Sequence, residues 1–488
     1  MACEVQSGRS DQRDFRVAYI RLNKHYIHQH YLALGIIEVF TLVLAAWLAV
    51  RLPSVLSGES LFAGIDVGFL VPALIFSVVL SCCTLAMGVY ISLVREGYAS
   101  MVLRTIVSFF LLGSLSLYIV DLITSGNLFD SALLFWGVLF ATLMVFLIRA
   151  LFISFVDLAN LQRRILVYGA GQQASELLNR IASQPSRLGV TVVGCVPAGS
   201  EPVEVDPQLL LRPESSWLAL ARKHDVHEIV MAPDERRRDK GTGMPVQELL
   251  DCKVSGIPTT DLLSFEEREL NAIDVDSLKP SWLLFSDGFR VSRRHAWAKR
   301  LFDVAVSGVF LALLWPAMLL TALAVKLDSK GPALYSQLRV GLNGRVFRIY
   351  KFRSMRTDAE VAGKAVWAKE NDNRVTRVGA FIRNTRLDEL PQLYNVLAGH
   401  MSFVGPRPER PEFVEDLKQQ IPFYDVRHKV KPGLMGWAQL KYPYGASVED
   451  AKNKLKYDLY YAKNHGFLMD LQILVQTVEI VLLGKGVR

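Results

Sequence analysis

Four runs dominated by Leu, Val, Ile, Phe and Ala fill much of the first third of the chain: Tyr31 to Val50, Val67 to Val94, Met101 to Val120 and Ser131 to Ile153. Each can cross a hydrocarbon core of about 30 Å as a helix. The mean hydropathy of +0.25 is high for a soluble protein and agrees with that reading. No cleaved signal peptide is expected, because the basic N-terminal stretch is long and no small-residue cleavage site follows the first run. Charge sets the orientation. Arg9, Arg13, Arg16, Arg21 and Lys24 precede the first run, Arg95 and Arg104 flank the turn between the second and third, and Arg149, Arg163 and Arg164 follow the fourth. The opposite loops carry Arg51 beside Glu59 and Asp66, and then only Asp121 and Asp130. Positive residues inside place both termini in the cytoplasm. Arg104 and Asp121 read as anchors that snorkel to the interface.

A net charge of +8 could point to nucleic acid, but many of the basic residues lie beside apolar runs, so a face of anionic membrane lipids explains them better. Cys3, Cys82, Cys83, Cys195 and Cys252 show no ligand spacing, which argues against structural zinc and disulfides.

After the membrane runs, Ile165 to Tyr168 reads as a short apolar strand, Gly169-Ala170-Gly171 as a turn, and Leu177, Leu178 and Ile181 as one face of a helix. This is the G-x-G-x-x-A form of the dinucleotide-binding turn. Val190 to Val196 supplies a second strand and Glu228 to Pro233 a later one. Where a ribose would want Asp or Glu, the chain has Cys195-Val196-Pro197, with Glu201 and Asp206 beyond. A nucleotide site and a retained but empty fold are both open. Val304 to Val325 is apolar again, yet basic residues flank both ends: Arg293, Arg294, Lys299 and Arg300 before it, Lys326, Lys330 and Arg339 after it. A re-entrant helix over about 301–327, broken at Pro316, satisfies both flanks; the alternative is an ordinary spanning helix with a proline kink, which would put everything after Lys326 outside.

The most informative chemistry is Asp388-Glu389 within Arg383 to Pro391. Pro391 suits a first helical turn, so a helix is expected to begin near Thr385 to Asp388, with the carboxylates at the positive end of its dipole. Taken alone such a pair is an ordinary solvated helix start. Lys351 and Arg353 stand at the end of an alternating strand, where they suit a diphosphate or a basic membrane edge alike. Gly405-Pro406-Arg407-Pro408 holds one arginine between two residues of fixed φ. Asp458 lies on a helical stretch among Tyr457, Tyr460 and Tyr461, and the apolar stretch Leu468 to Leu483 closes the chain.

In this order, Gly331-Pro332, Gln337 to Gly341, Lys351 to Met355, Leu387 to Leu393, Met401 to Pro408, Lys431 to Gln439 and Tyr457 to Tyr461 resemble the bacterial sugar transferase family, the monotopic polyprenyl-phosphate phosphoglycosyl transferases. The resemblance covers about two fifths of the chain. The whole layout is similar to the long members that initiate exopolysaccharide, O-antigen or capsule synthesis. It implies a membrane α plus α/β protein: a cytoplasmic segment 1–30, a bundle of four transmembrane helices over 31–155, a Rossmann-like, CoA- or nucleotide-binding-like middle domain over 160–290, and a re-entrant-helix catalytic domain over 295–488. It further implies transfer of a sugar 1-phosphate from a UDP-sugar to undecaprenyl phosphate, with release of UMP. By resemblance Asp388 is the nucleophile and forms an aspartyl-phosphosugar. Glu389 binds Mg²⁺; Arg383, Arg407, Lys351 and Arg353 hold phosphate oxygens, and Asp458 lies near metal or nucleotide. A homodimer in the bacterial inner membrane, with catalysis on the cytoplasmic face, completes the expectation. Met435 stands where relatives carry a small hydroxyl residue and is left out of the site. Two other readings compete: a membrane-bound nucleotide-sugar dehydratase or epimerase, for which no Tyr-x-x-x-Lys follows the glycine turn at a fitting distance, and a non-enzymatic scaffold for polysaccharide export.

Overall fold

The computed structural model of the protein describes residues 19–22, 25–56, 69–89, 98–124, 128–129, 133–155, 162–183, 189–199, 201–212, 216–234, 244–278, 280–289, 293–357, 374–442, 445 and 447–483. The flanking residues Arg9, Arg13, Arg16, Lys24, Glu59, Asp66, Arg95 and Asp130 lie outside these ranges. Contacts divide the chain into two compact units, Met1–Leu85 with Thr105–Gln162, and Ala86–Arg104 with Arg163–Arg488.

In the first unit a hairpin of β1 (Tyr19–Leu22) and β2 (His25–His28) leads into α1 (Gln29–Leu56). The second apolar run forms α2 (Leu70–Ala86). The third forms α3 (Tyr98–Ile106), a π-helical stretch Val107–Gly113 and α4 (Ser114–Ile123); the fourth forms a π-helical turn Leu133–Gly137 and α5 (Val138–Phe155). Among the described residues Leu32–Leu52, Met101–Ile123, Leu133–Phe155 and, far along the chain, Arg293–Asp328 are long and apolar enough to cross a membrane, whereas α2, at 17 residues, is shorter.

This bundle is built inside out. Ala45, Ala46, Ala49, Ala73 and Ala141 are fully buried, while Phe40, Leu111, Leu122 and Leu147 face outward. Small residues let helices approach closely where lipid supplies no hydrophobic drive. Buried hydroxyls bond back to their own helices, Ser77 to Ala73 O at 2.8 Å and Thr142 to Val138 O at 2.7 Å. One ion pair is buried among them. Arg149 donates to both oxygens of Glu38 at 2.6 and 2.8 Å, and to Thr105 Oγ1 at 2.5 Å. Arg149 was expected only as a flanking charge, and its partner is 111 residues away in sequence. Arg104 is fully buried rather than snorkelling. Asp121 accepts the N–H groups of Leu128 and Phe129 at 3.1 and 3.0 Å and so closes the turn after α4.

Besides Ala86–Arg104, which holds most of α3, the second unit contains an all-parallel sheet. Strands β3 (Arg163–Tyr168), β4 (Val190–Val196), β5 (Glu228–Met231) and β6 (Thr259–Asp261) lie in the order β4-β3-β5-β6. Helices α6 (Gln172–Ser183), α7 (Trp217–Lys223), α8 (Val246–Val254) and α9 (Leu262–Leu270) cover it. Leu177 and Ile181 of α6 pack with Phe265 of α9 in one cluster, and Trp217 and Leu220 of α7 with Leu249 and Cys252 of α8 in another. Two separate cores on one sheet mean that both faces are covered, as an all-parallel sheet requires.

A short α10 (Pro280–Phe285) precedes α11 (Arg293–Asp328). The expected break at Pro316 is absent as an interruption: α11 runs over 36 residues with Pro316 inside it. Its polarity is reversed relative to a soluble helix. The buried positions are Asp303, Ser307, Thr321 and Val325, while Leu301, Phe310, Leu313, Trp315, Leu320 and Leu327 are exposed. The rest of the unit comprises the antiparallel hairpin β7 (Leu334–Val340) and β8 (Val346–Phe352), α12 (Arg377–Asn384), α13 (Gln392–Leu397), β9 (Ser402–Val404), α14 (Pro411–Gln420), β10 (Gly433–Met435) parallel to β9, α15 (Trp437–Lys441), α16 (Val448–Asn464) and α17 (Phe467–Leu483).

Both ends of α11 are fastened to this α/β lobe. Near its start, Arg300 donates to the carbonyls of Val396 and Leu397 at 2.6 Å each, which satisfies the end of α13, and Asp303 accepts from Ser402 Oγ and Phe403 N at 3.0 Å. Lys299 pairs with Asp470 of α17. At its far end, Arg353 donates to the carbonyls of Val325, Ser329 and Lys330 at 3.4, 2.8 and 2.5 Å, and Asp328 accepts from Val378 N at 3.2 Å.

Removing one partner of a buried pair strands the other charge, at a cost of about 3–5 kcal/mol. Arg149→Met is therefore expected to lower the thermal midpoint of the detergent-solubilised protein clearly, and Glu38→Met in the same chain to restore part of the loss. An Arg149→Met midpoint equal to wild type would show that the pair is not needed.

Candidate active site

The acidic pair does not open an α-helix. Asp388 and Glu389 lie in a 3₁₀ turn, Leu387–Glu389, between α12 and α13, and Pro391 is the N-cap of α13 rather than part of its first turn. The reason is local: Arg386 adopts a left-handed conformation (φ 59°, ψ 13°), which ends α12 and turns the chain before the pair. With only six residues, α13 contributes little dipole; charged side chains dominate the field instead.

Two cations converge on one oxygen. Lys351, at the end of β8, and Arg407, from the loop after β9, each donate to Glu389 Oε1 at 2.9 Å. Burial alone would raise the Glu389 carboxyl, but Arg407, Lys351 and the charge of Arg386 hold it far below the ordinary range. Burial pushes Lys351 down, and Glu389 partly restores it. Arg407 is driven up, chiefly by Glu389. Asp388 is in a different state. It is 8% exposed, and among the described residues no hydrogen bond or ion pair engages its carboxylate. Burial and the charge of Glu389 raise its pKa, against the pull of Lys351, Arg407 and Arg386. One carboxylate is thus tied down by two cations that favour its ionised form, and its neighbour has no bonded partner among the described residues.

The backbone that delivers these cations is held in several places. Asn395 of α13 is fully buried; its Nδ2 donates to Arg348 O at 2.8 Å and its Oδ1 accepts from Tyr350 N at 3.2 Å, which binds β8 to the helix that follows the pair. Gly405 N donates to Met435 O and Gly433 N to Pro406 O. A Cβ on Gly433 would strike the backbone of Val404 and Gly405, so β9 and β10 can lie this close only with glycine there. Arg339 Nη1 reaches Pro408 O at 3.1 Å, and Val340 N bonds Glu409 O at 2.9 Å, fixing the far side of the Arg407 loop.

The remaining expected site residues go elsewhere. Arg353 does not face the pair: its guanidinium donates to Ser329 O and Lys330 O, just past the end of α11, and to Val325 O in its last turn. Asp458 is buried against Arg427, which donates to Asp458 Oδ2 through Nε at 3.0 Å and Nη2 at 2.7 Å. Arg427 also donates to Tyr424 Oη at 2.8 Å and to Arg407 O at 2.9 Å. Asp458 therefore bears on the site through Arg427, which props the backbone of Arg407. Arg383 sits half-buried in the last turn of α12, without an ion pair among the described residues. Pro316 lies inside α11. Arg427, Asn395 and Arg386 were not anticipated; only the i,i+3 spacing of Tyr424 and Arg427 hinted at a shared face.

Among the described residues there is no group of three or more His, Cys, Asp or Glu suited to a metal. Two carboxylates, one with both oxygens free and one with Oε2 free of hydrogen bonds among the described residues, fit a cation such as Mg²⁺, which is held by one or two carboxylates together with substrate phosphates.

Residues 294–484 match the family described as Bacterial sugar transferase. The chain is 37% identical over 339 residues to UDP-glucose:undecaprenyl-phosphate glucose-1-phosphate transferase of Klebsiella pneumoniae, covering 68% of this chain and 70% of that one. It is 41% identical over 240 residues to UDP-N-acetylgalactosamine-undecaprenyl-phosphate N-acetylgalactosaminephosphotransferase of Aeromonas hydrophila, covering 49% of this chain and little more than half, 56%, of that one. The exopolysaccharide production protein PSS of Rhizobium leguminosarum bv. phaseoli is 45% identical over 195 residues, which are 38% of this chain and 97% of that protein. The chain belongs to the bacterial sugar transferase family.

Removal of the Asn395 side chain leaves an N–H and a carbonyl of β8 unpaired, at about 1–3 kcal/mol for each stranded group. Asn395→Ala is expected to lower the midpoint of thermal unfolding followed by intrinsic fluorescence. An unchanged midpoint would remove this clamp from the account of the site.

Proposed function

We propose that the protein transfers a sugar 1-phosphate from a UDP-sugar to undecaprenyl phosphate, as the first membrane step of exopolysaccharide, O-antigen or capsule synthesis. The observation that carries this reading is the division between the two carboxylates: Glu389 is neutralised by Lys351 and Arg407, and Asp388 beside it is buried with unengaged oxygens. Phosphoryl transfer is mostly positioning and charge neutralisation, and these residues offer both. An Asp388 oxygen attacks the sugar-proximal phosphorus, and the bond from that phosphorus to the bridging oxygen breaks, so that UMP leaves. The lipid phosphate then attacks the same phosphorus; its bond to Asp388 breaks and the carboxylate is regenerated. Lys351 and Arg407 keep Glu389 ionised and carry positive charge to where the diphosphate oxygens would lie. Mg²⁺ held by Glu389 with Asp388 would neutralise diphosphate charge.

The reading also needs the pair at a bilayer surface on one side. Two features of α11 support this. Its exposed side is apolar and its protein-facing side includes Asp303, Ser307 and Thr321, the polarity of a helix in lipid. Both of its ends are bonded to one α/β lobe rich in charge, which supports a helix that returns to the side from which it entered. A helix that enters and leaves one leaflet satisfies both, with the catalytic lobe on the cytoplasmic face of the inner membrane, where nucleotide sugars and the basic flanks belong.

Purified protein with Mg²⁺, a UDP-sugar and undecaprenyl phosphate is expected to release UMP, and Asp388→Asn to lower this at least about 10³-fold. A UDP-sugar labelled at the sugar-proximal phosphorus should label the wild-type protein when lipid acceptor is omitted. UMP release at an undiminished rate by Asp388→Asn would refute the covalent step. Running the assay over a panel of UDP-sugars identifies the hexose.

Asp388 must be ionised to attack, so its raised pKa places the acid limb of kcat/KM above the ordinary aspartate value of about 3.9. Glu389→Gln removes a negative neighbour that contributes to this rise. Its residual activity is expected to show the acid limb at lower pH than wild type; a shift to higher pH would contradict the assignment.

A further inference from the structure

In a doubly wound sheet a ligand enters where the strand order reverses, at the C-terminal ends of the strands. Here the chain passes from β4 on one side of β3 to β5 on the other, so that point lies between the loops after β3 and β5. The glycine turn Gly169 to Gly171 leaves β3 there and opens α6. Its N–H groups would ordinarily cradle a pyrophosphate. They are already taken. Asp234, on the loop after β5, accepts from Gln172 N through Oδ2 at 2.9 Å and from Gln173 N through Oδ1 at 2.8 Å. Glu201, on the loop after β4, accepts from Ala170 N through Oε1 at 2.6 Å and from Ala198 N through the same oxygen at 2.9 Å. Its Oε2 accepts from Asp234 N at 3.3 Å, which joins the two acidic residues to one turn.

The glycines fit this occupant. Gly169 has φ +125°, and a Cβ there would strike Ala232 O; a Cβ on Gly171 would strike the Asp234 carboxylate. In a dinucleotide fold the second glycine makes room for phosphate, and in this chain it makes room for Asp234. A carboxylate that takes two adjacent N–H groups through its two oxygens reproduces one edge of a phosphate. The two acidic side chains also repel an incoming diphosphate.

We infer that Asp234 and Glu201 are built-in anionic ligands of the glycine turn, and that the middle sheet in consequence takes no dinucleotide. The motif is kept because it ties the loops after β3, β4 and β5 together. The sheet then reaches the catalytic lobe as one body, through Glu267 to Lys463 at 2.6 Å and Asn271 O to Trp437 Nε1 at 2.9 Å.

The test is equilibrium dialysis of ADP-ribose against the full chain in detergent, with excess UDP present to fill any uridine-nucleotide site. Wild type is expected to show no saturable binding up to about 1 mM. Asp234→Ala is expected to bind at least ten-fold more tightly than wild type. Asp234→Asn keeps the shape but loses the charge and one acceptor, and should gain affinity in the same direction if the alanine variant does not fold. Saturable binding by wild type below that concentration overturns the inference, as does a failure of every folded variant to gain affinity.

Discussion

Glu389 Oε1 receives two cations that the chain brings from separate places, Lys351 from the end of a hairpin strand and Arg407 from a loop braced by prolines. Much of the lobe can be understood as support for that meeting. Asn395 binds the strand that carries Lys351 to α13, and the close approach of Gly405 and Gly433 sets the loop that carries Arg407. Beneath the loop, Asp458 and Tyr424 orient Arg427, which holds the carbonyl of Arg407. Lys351, Glu389, Arg407, Arg427 and Asp458 each have a partner in this network. Low local dielectric makes such a network costly if any member is missing and stiff when all are present.

Against this neutralised centre, Asp388 stands apart. It shares the burial and the field of Glu389, yet no cation bonds to it among the described residues. Adjacent residues in one short turn thus reach opposite states because their side chains leave the turn in different directions. In the proposed mechanism that separation, more than the mere presence of two acids, is what would let Asp388 attack phosphorus.

What could be read from the sequence was whatever is local. The four apolar runs, the strand and glycine turn from Ile165, the strand Val190 to Val196 and the apolar segment around Pro316 all follow from patterns within a few turns of chain. Lys351, Glu389 and Arg407 were recognised through motif resemblance, and they do meet. Contacts made over long separations were not legible. Arg353 resembles Lys351 two residues away until the end of α11 is placed above it. Asp458 resembles a metal ligand until Arg427 is packed against it, and Glu38 has no sign of its charge partner until the bundle closes. The helix expected at Thr385 failed for a local reason that composition does not reveal, the left-handed Arg386. The glycine turn was legible as a motif, but its occupant, Asp234, comes from the loop after another strand.

Arg300 of α11 satisfies the last carbonyls of α13, and Arg353, just beyond β8, satisfies the last carbonyls of α11. The start of α11 is thereby tied to the helix that follows the acidic pair, and its end to the strand that carries Lys351. On the proposed re-entrant reading, the depth at which α11 lies in lipid sets the height at which Asp388 stands above it, so the helix would serve as a ruler.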